Sequence, residues 1–358
     1  MVSCHRLLDI VDLVEADTRL QIVFTVAPDV FNAGVADHLR GLGALVIPWQ
    51  QAVRETFDLA LAAAYGGLHE LHAPVLLAAH GAGWSRLVPA VGQGEPTVYG
   101  LDGPRLVRDG RVLASALVLA HEAEREVLER QCPQALPAAV VAGDPCFDRL
   151  AASLPERGRH RRVLGLSDRQ KLVVVSSTWG EDGLFGRSHD LVPALMDQLP
   201  PDRYRVALLL HPAIWAAHGR RQVIAWTRDC REAGMTLADP ADDWRAYVVA
   251  ADCLVGDRGS VTAYGAGVGL PILWAPTGRA DRIAPGSPQA IVASTARHLD
   301  PASPLLPQIA TARSVDRRRV AAAITSRPGR SGRLLRRTIY GLLGMAEGGG
   351  RRTVGIAS

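Results

Sequence analysis

Short apolar runs rich in β-branched residues alternate along this chain with stretches of helical spacing, and the alternation begins twice. In the first half, residues 20–26 and 44–49 read as strands around a helical segment at 31–42. Strands at 58–64 and 74–79 follow, the second ending at His80-Gly81. A helix over 119–131, with His121, Glu122, Glu124 and Arg125 on its polar face, leads to a strand at 138–142 and the turn Gly143-Asp144-Pro145. The series restarts at 171–177, the most strand-like run of all, with further strands at 204–210, 253–256 and 271–275 and helices at 214–233, 243–250 and 260–267. Parallel strands need crossovers, so this order implies mostly parallel sheets flanked by helices. At 358 residues the chain also exceeds what one core usually holds. The expectation is an α/β protein of two Rossmann-type domains side by side with a cleft between them. The expected division is a first domain at 1–152, an arginine-rich linker at 153–168, a second domain at 169–328 and a basic, partly disordered tail at 329–358.

Composition narrows the function classes. Hydrophobic residues at 48% and charged residues at 21% supply enough apolar surface for packed interiors. The longest uncharged apolar stretches, such as 59–68 and 112–120, fall well short of the roughly 18 to 20 residues of a spanning helix. Asp9, Asp12, Glu15 and Asp17 occupy the region where an export signal would be apolar, so a cytoplasmic location is expected. Five cysteines stand singly, without CxxC pairs or zinc-type spacing; they read as reduced thiols, and no metal site is expected. The formal charge of +4 is concentrated in 313–337, where nine arginines face the single acid Asp316. The remaining chain is net acidic, and no nucleic-acid partner is expected. Lys171 is the only lysine and no GxxxxGKS/T motif occurs, which excludes a P-loop nucleotidase.

The stretch from Leu254 to Leu273 carries the strongest chemical signal. A strand ends, the turn Asp257-Arg258-Gly259-Ser260 follows, and a helix of small residues begins with Thr262 and Tyr264 in its first turns. Free backbone N–H groups and the positive end of the dipole at such a helix start suit a diphosphate. A plain helix cap by Asp257 or Ser260 is the structural alternative. The loop after the strand at 171–177 offers small Ser176, Ser177 and Gly180 for backbone approach to phosphate, together with Thr178; Trp179 could stack on a base or simply pack.

The 254–273 run resembles the donor-nucleotide motif of GT-B glycosyltransferases, and most of all that of the CDP-glycerol glycerophosphotransferases that polymerise teichoic-acid-type chains. That family shows an Asp-Tyr-Ser-Ser turn, a helix bearing an acid, and a Pro-Ile strand. Here Asp257-Arg258-Gly259-Ser260 precedes Tyr264 at the acid's position and then Leu270-Pro271-Ile272. Ala79-His80-Gly81 and Leu210-His211-Pro212 are similar to the family's His-Gly and His-Pro motifs. Gly143-Asp144-Pro145-Cys146-Phe147-Asp148 is similar to the Gly-Asn-Pro-Arg-Phe-Asp that closes its first domain, where a hinge-like structural role suffices.

The resemblance implies a GT-B-like fold, two Rossmann-type α/β domains facing each other across a cleft, with acceptor bound by the first and nucleotide donor by the second. It implies His80 and His211 as the catalytic pair, His80 as general base and His211 stabilising the leaving nucleotide. Donor contacts are expected from Ser177, Thr178, Trp179, Gly180, Asp257, Gly259, Ser260, Thr262 and Tyr264, with no metal or cofactor. The implied function is transfer from a nucleotide-diphosphate donor, CDP-glycerol, another CDP-polyol or a nucleotide sugar, to a hydroxyl of an envelope polymer or lipid-linked glycan. A UDP-N-acetylglucosamine 2-epimerase-like enzyme and a non-catalytic nucleotide- or precursor-binding protein are the alternatives, the latter because of Tyr264. Arg330, Arg333, Arg336 and Arg337 interleave with Leu334, Leu335, Ile339, Leu342 and Leu343 as a basic amphipathic helix. It could lie on the inner face of an anionic plasma membrane or cross back to the first domain.

Overall fold

A computed structural model describes residues 1–29, 32, 34–89, 94–275, 278 and 282–348. The chain divides into two compact units, one formed by Met1–Asp148 with the returning segment from Ile324, the other by Arg149–Ala323.

The first unit carries β1 (Ala60–Ala62) and β2 (Val75–Ala78). Two antiparallel hairpins follow, β3 (Leu87–Val88) with β4 (Thr97–Val98) and β5 (Val107–Arg108) with β6 (Arg111–Val112), and then β7 (Ala116–Leu119) and β8 (Ala139–Val141). β1, β2, β7 and β8 form a parallel sheet in that order. β2 and β7 are buried along their whole length, which is why each reads as an unbroken apolar run. The strands expected at 20–26 and 44–49 reduce to one parallel bridge between Phe24 and Val46. Pro48 ends the second run, and Trp49–Ala52 turns helical behind it. The helix expected at 31–42 is seen as Val35–Gly41, entered through Gly34 at a φ of 77°. Phe31 lies outside the described residues.

The second unit contains β9 (Lys171–Ser177), β10 (Tyr204–Leu210), β11 (Thr236–Leu237), β12 (Cys253–Gly256), β13 (Pro271–Trp274), β14 (Arg297–His298) and β15 (Arg313–Ser314). Its sheet runs β11-β10-β9-β12-β13-β14, all parallel, with β15 antiparallel to β13. In order of appearance this is the doubly wound Rossmann arrangement, and its topological switch point falls between β9 and β12. Val173, Val175, Leu208, Val255 and Leu273 fill one face of the sheet against Leu191, Leu195, Ile214 and Val223.

Two expectations are revised, and the two alternatives for the tail are decided in favour of its return to the first unit. The segment at 153–168, expected as a linker without sustained periodicity, is largely helical: Leu154–Glu156 and Arg157–Val163 form helices, and the second of these packs on helix Trp244–Ala250 of the second unit. Its arginines are structural, since Arg157 and Arg161 both pair with Asp252 and donate to the carbonyls at 249–251. The single helix expected at 214–233 is three helices, Pro212–His218, Arg220–Trp226 and Arg228–Glu232, broken at Gly219 and Thr227. Trp226, at the second break, is 50% exposed and lies against the rings of His218 and Phe185. In the tail, helix Ser331–Leu342 buries Leu335, Ile339 and Tyr340 among Ile10, Leu76 and Val118. Its apolar stripe is occupied by the first unit's core and is not open to a lipid surface. Among the described residues, no helix is long and apolar enough to cross a membrane.

Candidate functional site

The strand ends of the second unit gather most of the residues singled out from the sequence. β9 runs into Thr178 and β12 into Asp257, so the two loops adjoin at the switch point. Asp257 is fully buried and organises both. Its Oδ2 accepts the Thr178 N–H and Oγ1–H, each at 2.8 Å, and the Leu184 N–H at 2.9 Å; its Oδ1 accepts the Gly259 N–H at 3.0 Å. Burial pushes the Asp257 carboxyl above the usual range, and these donors pull it back. Helix Ser260–Gly267 then starts at the extended Gly259 with no side chain capping it. Gly256 has no room for a Cβ, which would sit 2.2 Å from the Thr262 hydroxyl. One strand over, the His211 N–H donates to the Ser177 carbonyl at 3.0 Å. The His211 ring caps helix Pro212–His218, Nδ1 accepting the Ala213 N–H at 3.1 Å. A neutral ring that accepts at Nδ1 carries its proton at Nε2.

The first unit presents a second group at the ends of β2, β7 and β8. His80 leaves β2 with its Nδ1 3.1 Å from the Ala63 carbonyl, so the neutral ring donates there and keeps Nε2 as its acceptor. His80 is exposed at the surface, yet the protein packed around it, with a smaller contribution from Arg6, holds its pKa below the ordinary value. Beneath the loop lies a buried ion pair. Arg6 Nη1 donates to Asp144 at 2.8 Å, and Nη2 to the Gly81 carbonyl at 3.0 Å. A water-sized cavity is lined by Arg6, Ala79, Gly81, Ala120 and Asp144 among others. Glu124 accepts backbone N–H groups from Trp84, Ala120 and His121 at 3.1, 2.7 and 3.2 Å. Burial pushes its carboxyl up to about 7.

The expected donor residues thus divide. Thr178, Gly180, Gly259, Ser260 and the 40% exposed Trp179 reach the surface of the second unit's strand edge. Asp257, Thr262, Tyr264 and Ser177 are buried beneath it. Ser177 Oγ accepts the Phe185 N–H at 2.8 Å, and Tyr264 stacks on Trp244 with ring centroids 5.5 Å apart. The Gly259 amide, expected to be bare, is taken by Asp257. Among the described residues, no group of three His, Cys, Asp or Glu side chains could hold a metal ion.

Arg6 and Glu124 have no place among the expected site residues. Glu124 left a signal, standing three residues after the helix-capping His121 as in a capping box. Arg6 left none, because its partner Asp144 lies 138 residues away.

No protein-family model matches the chain, and no curated protein is significantly similar in sequence. Solved structures do match. The wall teichoic acid polymerase TagF superposes with a TM-score of 0.52 at 15% identity, over 75% of this chain and 66% of its own. A TagF variant soaked with CDPG gives 0.50 at 15% identity over 74% and 65%. This chain therefore spans slightly less than two thirds of the polymerase chains it matches. UDP-GlcNAc 2-epimerase from Neisseria meningitidis, bound to UDP-GlcNAc, gives 0.50 at 11% identity over 95% and 97%. Together with the parallel sheets and the Rossmann strand order of the second unit, these matches show that the chain has the GT-B type of α/β fold.

Proposed function

We propose that this protein is a transferase using a nucleotide-diphosphate donor, CDP-glycerol, another CDP-polyol or a nucleotide sugar, to modify a hydroxyl of an envelope polymer or lipid-linked glycan. The observation that carries the reading is the switch point of the second unit, where a helix of small residues without a side-chain cap begins beside the β9 loop, and His211 follows the neighbouring strand β10. A diphosphate suits such a helix start, with Ser260 and Gly180 at its approach and Trp179 available to the base. His80, neutral and accepting at Nε2, takes the acceptor hydroxyl's proton as that oxygen attacks phosphorus or a sugar carbon. The bond to the nucleotide phosphate breaks, and the His211 Nε2–H stabilises the departing charge. Asp257, Thr262 and Tyr264 support the donor turn from behind. The proposed place of action is the cytoplasm, at the inner face of the plasma membrane when the acceptor is lipid-linked.

A second reading, an epimerase acting on UDP-N-acetylglucosamine, is favoured by the near full-length match to such an enzyme. Thermal shift with CDP-glycerol, UDP-N-acetylglucosamine, CMP and UDP tests the donor, because a native-state ligand raises the midpoint by mass action. No shift with any of the four refutes nucleotide binding. Nucleotide release supports transfer, whereas conversion of the sugar to its 2-epimer supports the second reading. His80→Gln and His211→Asn, the latter keeping a cap acceptor, should each slow release by about 10²-fold or more with the fold intact. Near-normal rates in both defeat the assignment.

A further inference from the structure

We infer that Glu124 is the positioning residue for the loop that carries His80, an assignment resting on the reading of His80 as base given above. The loop from His80 to Trp84 is short and contains Gly81 and Gly83. Gly83 adopts a φ of 64°, and a Cβ there would lie 2.5 Å from Glu124 Oε1, so the backbone rests directly on the carboxylate. Oε1 accepts the Trp84 N–H at the far end of the loop, and Oε2 accepts the Ala120 and His121 N–H groups at the end of β7. One side chain thereby joins the ends of the neighbouring strands β2 and β7. Capping of helix Glu122–Gln131 requires only the His121 bond; those to Ala120 and Trp84 reach beyond the helix.

The near end of the loop is fixed separately, by His80 Nδ1 on the Ala63 carbonyl and by Arg6 on the Gly81 carbonyl. Glu124 is the side chain that ties the Trp84 N–H to the end of β7. The titratable groups of the surrounding elements are Asp144 after β8, Arg6 paired with it from helix Val2–Val11, His121 at the cap, and His80 itself. Both oxygens of Glu124 are used as acceptors, and a carboxamide has only one. Glu124→Gln therefore keeps the shape while turning a donor onto a backbone N–H.

The test uses the full chain with Glu124→Gln and, as a second variant retaining both oxygens on a shorter stem, Glu124→Asp. Hydrogen exchange at the Trp84 and Ala120 amides should accelerate at least about tenfold in E124Q, with β9 amides unchanged. The His80 ring resonance should shift, its titration midpoint moving toward the ordinary value, while the His211 resonance stays in place. With whichever of CDP-glycerol or UDP-N-acetylglucosamine is turned over, kcat should fall about tenfold and KM stay within about twofold, with partial rescue in E124D. Unchanged Trp84 exchange and an unchanged His80 resonance in both variants overturn the inference. Normal turnover of His80→Gln instead removes the base reading, and is distinguishable because the E124Q exchange and resonance changes would persist.

Discussion

At the strand ends of the second unit a single carboxylate, Asp257, collects four donors from the β9 loop and the β12 turn, whereas the first unit divides the same task between Glu124 and the Arg6–Asp144 pair. The second unit can concentrate it because β9 and β12 are adjacent at a switch point, leaving their loops within reach of one short side chain. The first unit gathers three strand ends and the N-terminal helix, a wider span that one carboxylate cannot cross. The two histidines differ in a parallel way. His80 gives its Nδ1 proton to a carbonyl and His211 accepts an N–H at Nδ1, so backbone contacts set opposite tautomers. The teaching is that local hydrogen bonding, and not residue type, assigns the acceptor and donor roles.

The contrast can be broken by substitution, and the largest effect is expected in the first unit. Arg6→Ala removes the guanidinium paired with the buried Asp144 and should cost about 3–5 kcal/mol, read by urea unfolding. Replacing both partners by apolar residues of similar size should recover most of that loss. In the second unit Asp257→Asn removes a charge and one acceptor while keeping the shape. A loss of about 2–3 kcal/mol is expected, with the Thr178 and Leu184 amides exchanging faster. A loss below about 0.5 kcal/mol would show that the donors find other partners.

Acid and base sharpen the contrast further. The Glu124 carboxyl titrates at about 7 in the fold against an ordinary 4.5, so between those values the folded state holds more protons than the unfolded one. Its contribution to stability is therefore full below about 4.5 and declines as pH rises through about 7. Relative to Glu124→Gln, the native chain should lose on the order of 1–3 kcal/mol on going from about pH 5 to about pH 8. A pH dependence identical in both chains would contradict the raised value. The smallest effect concerns the Thr262 hydroxyl, which is buried without a partner among the described residues. Thr262→Val should stabilise by about 1 kcal/mol or less, and destabilisation would reveal a partner for that oxygen.

Much of the second unit was legible in sequence because its strands are buried on both faces, so β9, β10 and β12 appear as apolar runs with the observed bounds. Helix Ser260–Gly267 was equally clear from its glycine-bounded start. The first unit was harder to read. Its strands are three or four residues long, and the 20–26 run forms one bridge rather than a ladder. The arginines at 157 and 161 read only as part of an arginine-rich linker, because Asp252 and the carbonyls they meet lie about ninety residues on. The same nonlocality hid Arg6. Tyr264 stands where the resembling family has an acid, and only packing shows that its ring lies against Trp244 in the interior.

The first unit is assembled from both ends of the chain. Ile10 and Leu76 share their packing with Leu335, Ile339 and Tyr340, which follow the whole second unit in the chain. During synthesis the middle segment, 149–323, can therefore close its seven-stranded sheet while the earlier-made amino-terminal half still lacks its covering helix. A chain stopped before Ser331 should therefore hold every strand of the second unit's sheet but leave the apolar floor of the first unit uncovered.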